Sequence, residues 1–346
     1  LFHPKKTDAM PAPEIATTRI AYDARRDASQ PFGPYEFAFN APPAQPIQLS
    51  CKTWETAWNY PASVWLEKIV GTTPWPEGRL SWPRAVGTWT HRWLAAALRT
   101  CAERNSSADF LSLLQSAMES ETRRVQARAR ATGLELYSWW DQVCGQARSI
   151  AFGLGEALAP HLTDKHLLSE FSLPGNINAI LPGSDHADFA LTGRIDLLLI
   201  EPGTVASDPA RGDFSGCTCW VIDFKTGSAQ GLNEKRISNG TGLQAVLYAL
   251  AVRTCGAGPT ALSLLTFDAP LKIQVHLEQA LEIKSLFLSL DKFHRDGIFG
   301  LRSNVDNEHG YAPLVPMATR FIPGAILDVK WALVHESFVP GGEETE

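Results

Sequence analysis

Two apolar runs, each with an aspartate in its interior, decide how this chain is read: Gly193-Arg194-Ile195-Asp196-Leu197-Leu198-Leu199-Ile200 and Trp220-Val221-Ile222-Asp223-Phe224-Lys225-Thr226-Gly227. Both have the length and aliphatic content of buried strands. In the second, alternation puts Val221, Asp223 and Lys225 on one face and Ile222 and Phe224 on the other. Two acids and a lysine thus converge at the ends of neighbouring strands. A lone carboxylate costs several kcal/mol to bury, so Asp196 within an aliphatic run calls for a cation. A divalent metal with oxygen ligands, Mg²⁺ or Mn²⁺, meets that need, with Asp223 sharing the ion and Lys225 facing the same pocket. The other reading of Asp223-Phe224-Lys225 is an exposed strand end closed by an internal ion pair, and these residues alone do not separate the two.

Around these runs lies a chain of 346 residues, longer than one core usually supports, so a core with a substantial appendage is expected. A hydrophobic content of 45% with 20% charged residues is that of a soluble globular protein. No apolar run approaches the length of a membrane span and the N-terminus lacks a secretory pattern, which makes the cytoplasm the default and a membrane partner unexpected. A net charge of −6 argues against nucleic-acid binding through bulk charge, but acids gathered around a metal contribute to that sum. Six cysteines without a C-x-x-C pair carry no zinc signature and read as mostly free thiols. Leu1 in place of a methionine reads as the start of a fragment of a longer protein.

Residues 1–48, densest in proline at Ala41-Pro42-Pro43-Ala44-Gln45-Pro46, read as an extended arm or linker with little secondary structure. A helical region follows over 49–160. It opens with two short helices carrying Trp54, Trp58 and Trp65, broken at Tyr60-Pro61. A longer helix from Pro83 to about Thr100 carries Gly87-Thr88-Trp89-Thr90-His91. His91 is either a satisfied structural residue or a metal ligand, with Gly87 one turn earlier allowing close approach to a sheet. Helices over 107–159 divide near Thr132-Gly133, and Arg123, Arg124, Arg128 and Arg130 there form either a solvated face or a phosphate-tracking stripe.

A strand region covers 161–296. It has strands at 166–173 with Glu170, at 189–200 with Asp196 and at 220–227, then a helix from Thr241 to Arg253. On that helix Gln244 and Tyr248 stand four apart on one face, where either simple surface placement or a shared polar neighbour accounts for them. The connection 201–217 is expected to rise beside the pocket. A hairpin turns at Asp268-Ala269-Pro270, and an amphipathic helix over 278–296 follows. The extension 297–346 reads as irregular, with one strand at Ile326–Val334 and a frayed acidic end.

In this order, G-x-x-x-H at 87–91, G-R-I-D at 193–196, D-F-K-T-G at 223–227 and Q-x-x-x-Y at 244–248 resemble the PD-(D/E)XK nuclease superfamily over about residues 50–296. Within it they resemble the RecB-like nuclease domains at the C-terminus of UvrD-like helicases and in AddAB-type recombination enzymes. Leu49-Ser50-Cys51-Lys52-Thr53-Trp54-Glu55, continuing to Gly71, resembles the family's entry segment. The fold implied is α+β, a restriction-endonuclease-like core with a mixed central sheet flanked by helices, plus an additional helical region.

The resemblance implies that His91, Asp196, Asp223 and the main-chain carbonyl of Phe224 bind Mg²⁺ or Mn²⁺. Lys225 would activate or orient the attacking water, Gln244 and Tyr248 would hold the substrate strand or brace the site, and Glu170 would add a catalytic acid. The activity implied is that of a DNA exonuclease acting on single- or double-stranded ends in repair and recombination, with a helicase domain or subunit as partner. The alternative is a catalytically inactive DNA-binding or helicase-docking module on the same fold. Many relatives carry an iron–sulfur cluster on a cysteine before a proline in the entry segment and three more near the C-terminus. Tyr60 takes the first position and residues 297–346 hold no cysteine, so no cluster is expected.

Overall fold

The aliphatic runs form strands because each can be covered on both faces. The computed structural model describes residues 13–39, 49–59, 61–71, 82–104, 106–133, 139–173, 177–180, 188–201, 203, 207–227, 231–240, 242–281, 284–302 and 322–335. The proline-dense stretch 41–46, Tyr60 and the acidic end lie outside the described residues.

From the N-terminus, helix α1 (Pro13–Arg26) and strand β1 (Leu49–Ser50) precede α2 (Cys51–Asn59) and α3 (Pro61–Trp65). Three long helices follow: α4 (Trp82–Arg104), α5 (Phe110–Thr132) and α6 (Trp140–Leu158). Strands β2 (His166–Ser172), β3 (Ile177–Ile180), β4 (Asp188–Thr192), β5 (Arg194–Glu201) and β6 (Thr218–Phe224) come next. The chain continues through α7 (Glu234–Ser238), α8 (Leu243–Thr254), β7 (Thr260–Leu265), β8 (Val275–His276), α9 (Leu277–Leu281), α10 (Lys284–Arg295) and α11 (Gly324–Val334). Among the described residues no helix is long and apolar enough to cross a membrane.

Two compact units result, one of Gln48–Glu55 with Thr73–Phe287, the other of Leu1–Ile47, Thr56–Thr72 and Leu288–Glu346. The first holds a five-stranded sheet in the order β2-β5-β6-β7-β8, antiparallel except for the parallel pair β6 and β7. A parallel pair needs a crossover, and α8 supplies it. Leu243 and Ala245 to Val252 are all buried, so α8 is apolar around its whole circumference, as a helix enclosed by protein must be. On the other side Trp93, Leu94 and Leu98 of α4 and Val143, Ala151 and Leu154 of α6 join Leu197, Leu199, Ile222 and Phe224 of the sheet in one core. This mixed sheet flanked by helices is the architecture expected.

A smaller sheet, β1-β4-β3, pairs β1 parallel to β4 through Leu49↔Leu191 and Ser50↔Thr192. Residues 188–201 are therefore two strands in two sheets rather than the single strand expected over 189–200, and Gly193 is the break between them. Gly133, with φ 64°, ends α5 where the division was expected. On α5, Arg123 pairs with Glu119 and Arg124 with Glu121, as on a solvated face.

The second unit corrects two expectations. Residues 13–26 form α1 instead of an extended arm. Residues 324–334 form a helix instead of a strand, with Leu327, Lys330 and Trp331 on its buried face at spacings of three and four. Lys330 Nζ lies 2.7 Å from Glu36 Oε1, both side chains almost fully buried, and donates to the Ala24 carbonyl at 2.7 Å. Arg302 lies over the rings of Trp58 and Trp331 at 4.7 and 4.8 Å and donates to the Trp58 carbonyl.

Candidate active site

The strand registers build the site. Glu170 falls opposite Asp196 between the pairs Ser169↔Leu197 and Phe171↔Ile195. Extending Leu197↔Ile222 by one residue sets Asp196 beside Asp223. Three carboxylates from three adjacent strands thus form one row across the sheet. Like charges directly opposite one another destabilise a sheet, so this row needs compensation.

Part of it is visible. His91 Nδ1 is 3.2 Å from Asp196 Oδ1, and the other oxygen, Oδ2, accepts the Phe224 N–H at 2.8 Å. Lys225 Nζ is 2.6 Å from Asp223 Oδ2, and Arg194 Nε is 2.5 Å from Glu170 Oε2. Glu170 has a left-handed backbone, φ 53°, which a non-glycine residue rarely adopts. Helix α4 brings His91 in over the end of the sheet, its ring edge-to-face with Phe224 at 5.7 Å. A Cβ on Gly87 would meet Thr226 Oγ1 at 3.2 Å, so glycine there permits the close approach expected of it.

Burial and the mutual repulsion of the carboxylates both act on the protonation of the site. Burial raises the Asp223 pKa; Lys225 opposes that and the Asp196 charge reinforces it. Burial also raises Glu170, against Arg194 and with Asp196. Burial disfavours the His91 imidazolium, but the Asp196 hydrogen bond and the charges of Asp196, Asp223 and Glu170 outweigh it and raise its pKa. Lys225 behaves likewise: the charges of Asp223, Glu55 and Asp196 overcome burial and keep the ammonium. The site is thus an anionic cluster that draws protons to itself, and a divalent cation would displace them.

One nitrogen or oxygen from each of His91, Glu170 and Asp196 lies within 4.8 Å of the others. These donors fit Mg²⁺ or Mn²⁺, the imidazole suiting Mn²⁺ better. Of the metal ligands expected, the structure brings His91 and Asp196 into this set and adds Glu170. Asp223 is next in the row, with its Oδ2 engaged by Lys225. Gln244 Nε2 donates to Tyr248 Oη at 3.0 Å, and the Tyr248 ring packs against Gly193 at the junction of β4 and β5. Tyr248 is only 4% exposed, so its hydroxyl serves the protein interior.

A model of the PD-(D/E)XK nuclease superfamily matches residues 48–295. The chain belongs to this superfamily. Comparison with curated proteins yields no match. For a PD-(D/E)XK nuclease, hydrolysis dependent on a divalent metal is what membership implies, and the carboxylate row with its imidazole suits that chemistry.

One functional feature of this PD-(D/E)XK fold escaped the sequence reading. Glu55 Oε2 accepts the Gln244 N–H at 2.5 Å, and the Glu55 charge acts on Lys225. A signal was present: Cys51, Trp54 and Trp58 are buried on α2, and Glu55 shares their spacing of three and four. An acid on an apolar stripe needs a partner. The segment 201–217 is the opposite case. It joins the end of β5 to the start of β6, and its Phe214 and Gly216 amides bond the Cys255 and Gly256 carbonyls. The antiparallel register puts Asp196 and Asp223 at the other end of these strands, away from the described residues 207–217 that lead into β6.

Proposed function

We propose that this protein is a Mg²⁺- or Mn²⁺-dependent deoxyribonuclease of the RecB-like kind, hydrolysing DNA from single- or double-stranded ends in repair or recombination alongside a helicase domain or subunit. The observation that carries the nuclease reading is the row Glu170, Asp196, Asp223 with His91 at one side and Lys225 at the other. The order and spacing of the four motifs support the RecB-like reading.

In this reading His91, Glu170, Asp196 and Asp223 hold the metal, with the Phe224 carbonyl as a further donor. When bound, the ion lowers the pKa of its water and stabilises charge on the phosphate and the leaving oxygen. Lys225 keeps its proton, orients the attacking water and adds positive charge where the transition state gathers negative charge. Lys225, now paired with Asp223 Oδ2 at 2.6 Å, would be the cation beside the phosphate if Asp223 were to hold the metal. Gln244 and Tyr248 brace the site, with Tyr248 packed against Gly193, three positions before Asp196.

The test is cleavage of end-labelled linear single- and double-stranded DNA and of a closed circle, with Mg²⁺, with Mn²⁺ and with chelator. The linear substrates should be degraded only with metal and the circle spared. Asp223→Ala and Lys225→Ala should each lose at least about a thousandfold in rate while keeping the wild-type circular dichroism. Full activity in either folded variant sinks the assignment, and DNA binding without cleavage by the wild type favours an inactive module.

A further inference from the structure

Helix α8 lacks a local cap. Its N-cap residue is Gly242, with φ +77° and no side chain to offer the orphan amides of the first turn. A larger residue is barred there, because a Cβ on Gly242 would collide with Leu232 Cδ2. The cap comes instead from Glu55 on α2, whose carboxylate accepts the Gln244 N–H at 2.5 Å, where the helix dipole also favours an anion.

Glu55 is itself held in place from the other direction. Ser50 Oγ accepts the Thr53 N–H at 3.1 Å and so starts α2, while Ser50 pairs with Thr192 across β1 and β4. Thr192 directly precedes Gly193 and β5. From α8 the path returns to the same point: Gln244 Nε2 bonds Tyr248 Oη, and the Tyr248 ring lies against Gly193, where a Cβ would stand 2.5 Å from Cε1. Glu55 therefore closes a ring of contacts, β4 to β1 to α2 to α8 and back to Gly193, around the junction that aims Asp196.

We propose that Glu55 is a positioning residue: by capping α8 across the unit it sets the helix whose Tyr248 packs against Gly193, and so fixes where Asp196 presents its carboxylate to the metal. The inference rests on the reading of Asp196 as a metal ligand. Its effect belongs in metal affinity more than in DNA affinity, because it acts through the position of Asp196, a metal ligand in that reading.

The experiment titrates Mn²⁺ into the full chain by calorimetry, follows amide exchange by mass spectrometry, and measures KM for linear DNA. Glu55→Ala should weaken Mn²⁺ binding at least tenfold. It should also speed exchange both at 243–246 and at 194–197, and leave KM within about twofold. Glu55→Gln, which keeps an acceptor, should bind Mn²⁺ within about threefold of wild type. If Glu55→Ala does not fold, Glu55→Asp, too short to reach the amide, carries the same expectation. Mn²⁺ affinity within twofold of wild type in the folded cap-less variant overturns the inference, as does faster exchange confined to α8, since a merely structural cap would lower stability alone. A wild type that binds Mn²⁺ without cleaving DNA fails the nuclease reading and leaves this inference standing or falling on affinity and exchange; a wild type that binds no Mn²⁺ overturns both.

Discussion

Tyr248 fills the space that a side chain at position 193 would need: a Cβ on Gly193 would lie 2.5 Å from Tyr248 Cε1 and 3.1 Å from its hydroxyl oxygen. The ring and the glycine are two halves of one packing arrangement. Gly193→Ala should therefore destabilise the protein by roughly 1–3 kcal/mol, as overpacking of a filled interior does. Cleavage should fall with it, because the displaced backbone leads directly to Asp196. Denaturant unfolding of Gly193→Ala, Tyr248→Leu and the double variant checks this; the double should lose less than the sum of the singles, because the smaller side chain leaves room for the added methyl.

The carboxylate row should make the order of stability of wild type and Asp196→Asn reverse when a divalent metal is added. Wild type should gain about 2.7 kcal/mol at a Mn²⁺ concentration a hundred times its Kd. Asp196→Asn, which removes one charge from the row and keeps an acceptor for the Phe224 amide, should be at least as stable as wild type in chelator and gain little from Mn²⁺. Melting temperatures of both proteins with and without the ion should cross. Parallel curves would mean that the row does not bind it.

The buried pair of Lys330 and Glu36 invites a separate test. Lys330→Met leaves the Glu36 carboxylate enclosed without its cation, which should cost about 3–5 kcal/mol, whereas Lys330→Met with Glu36→Gln should recover much of that loss. A double-mutant cycle by urea unfolding measures the difference.

His335 should make the same unit acid-labile. Its Nε2 bonds the Phe299 carbonyl at 3.3 Å, while Nδ1 has no partner among the described residues beside the rings of Trp331 and Phe293. Burial, with smaller effects from the charges of Lys292 and Arg302, pushes its pKa down to about 3. Between that value and the unfolded value near 6.5 the unfolded chain binds the extra proton, so stability is fully present above about pH 6.5 and declines as pH falls toward 3. The loss should amount to several kcal/mol across that window. Stability measured from pH 7 to pH 4 should fall less steeply in His335→Phe, which has no proton to bind there.

Much of the site could be read from local pattern. Asp196 and Asp223 stand out because an acid inside an aliphatic strand is a chemical exception, and Gly87 and His91 because one helical turn relates them. Residues 324–334 were misleading for the same reason that a short apolar run is ambiguous: only the burial of Lys330 beside Leu327 and Trp331 reveals the helical period. The break at Gly193 was hidden because both flanks are strands, and what separates them is the ring of Tyr248.

The sequence by itself determined the core chemistry: two acids inside adjacent apolar strands with a lysine after the second, a histidine on a long helix, and the superfamily to which they belong. Only the tertiary structure decided which acids share a point, that Glu170 joins His91 and Asp196 while Asp223 leans on Lys225. It alone showed that Glu55 caps a helix 189 positions away and that Lys330 is neutralised 294 positions away. Local periodicity records which face of an element is buried, because that depends on the chain's own geometry. It carries no record of the partner a buried charge will find, because that partner is chosen by how distant segments pack.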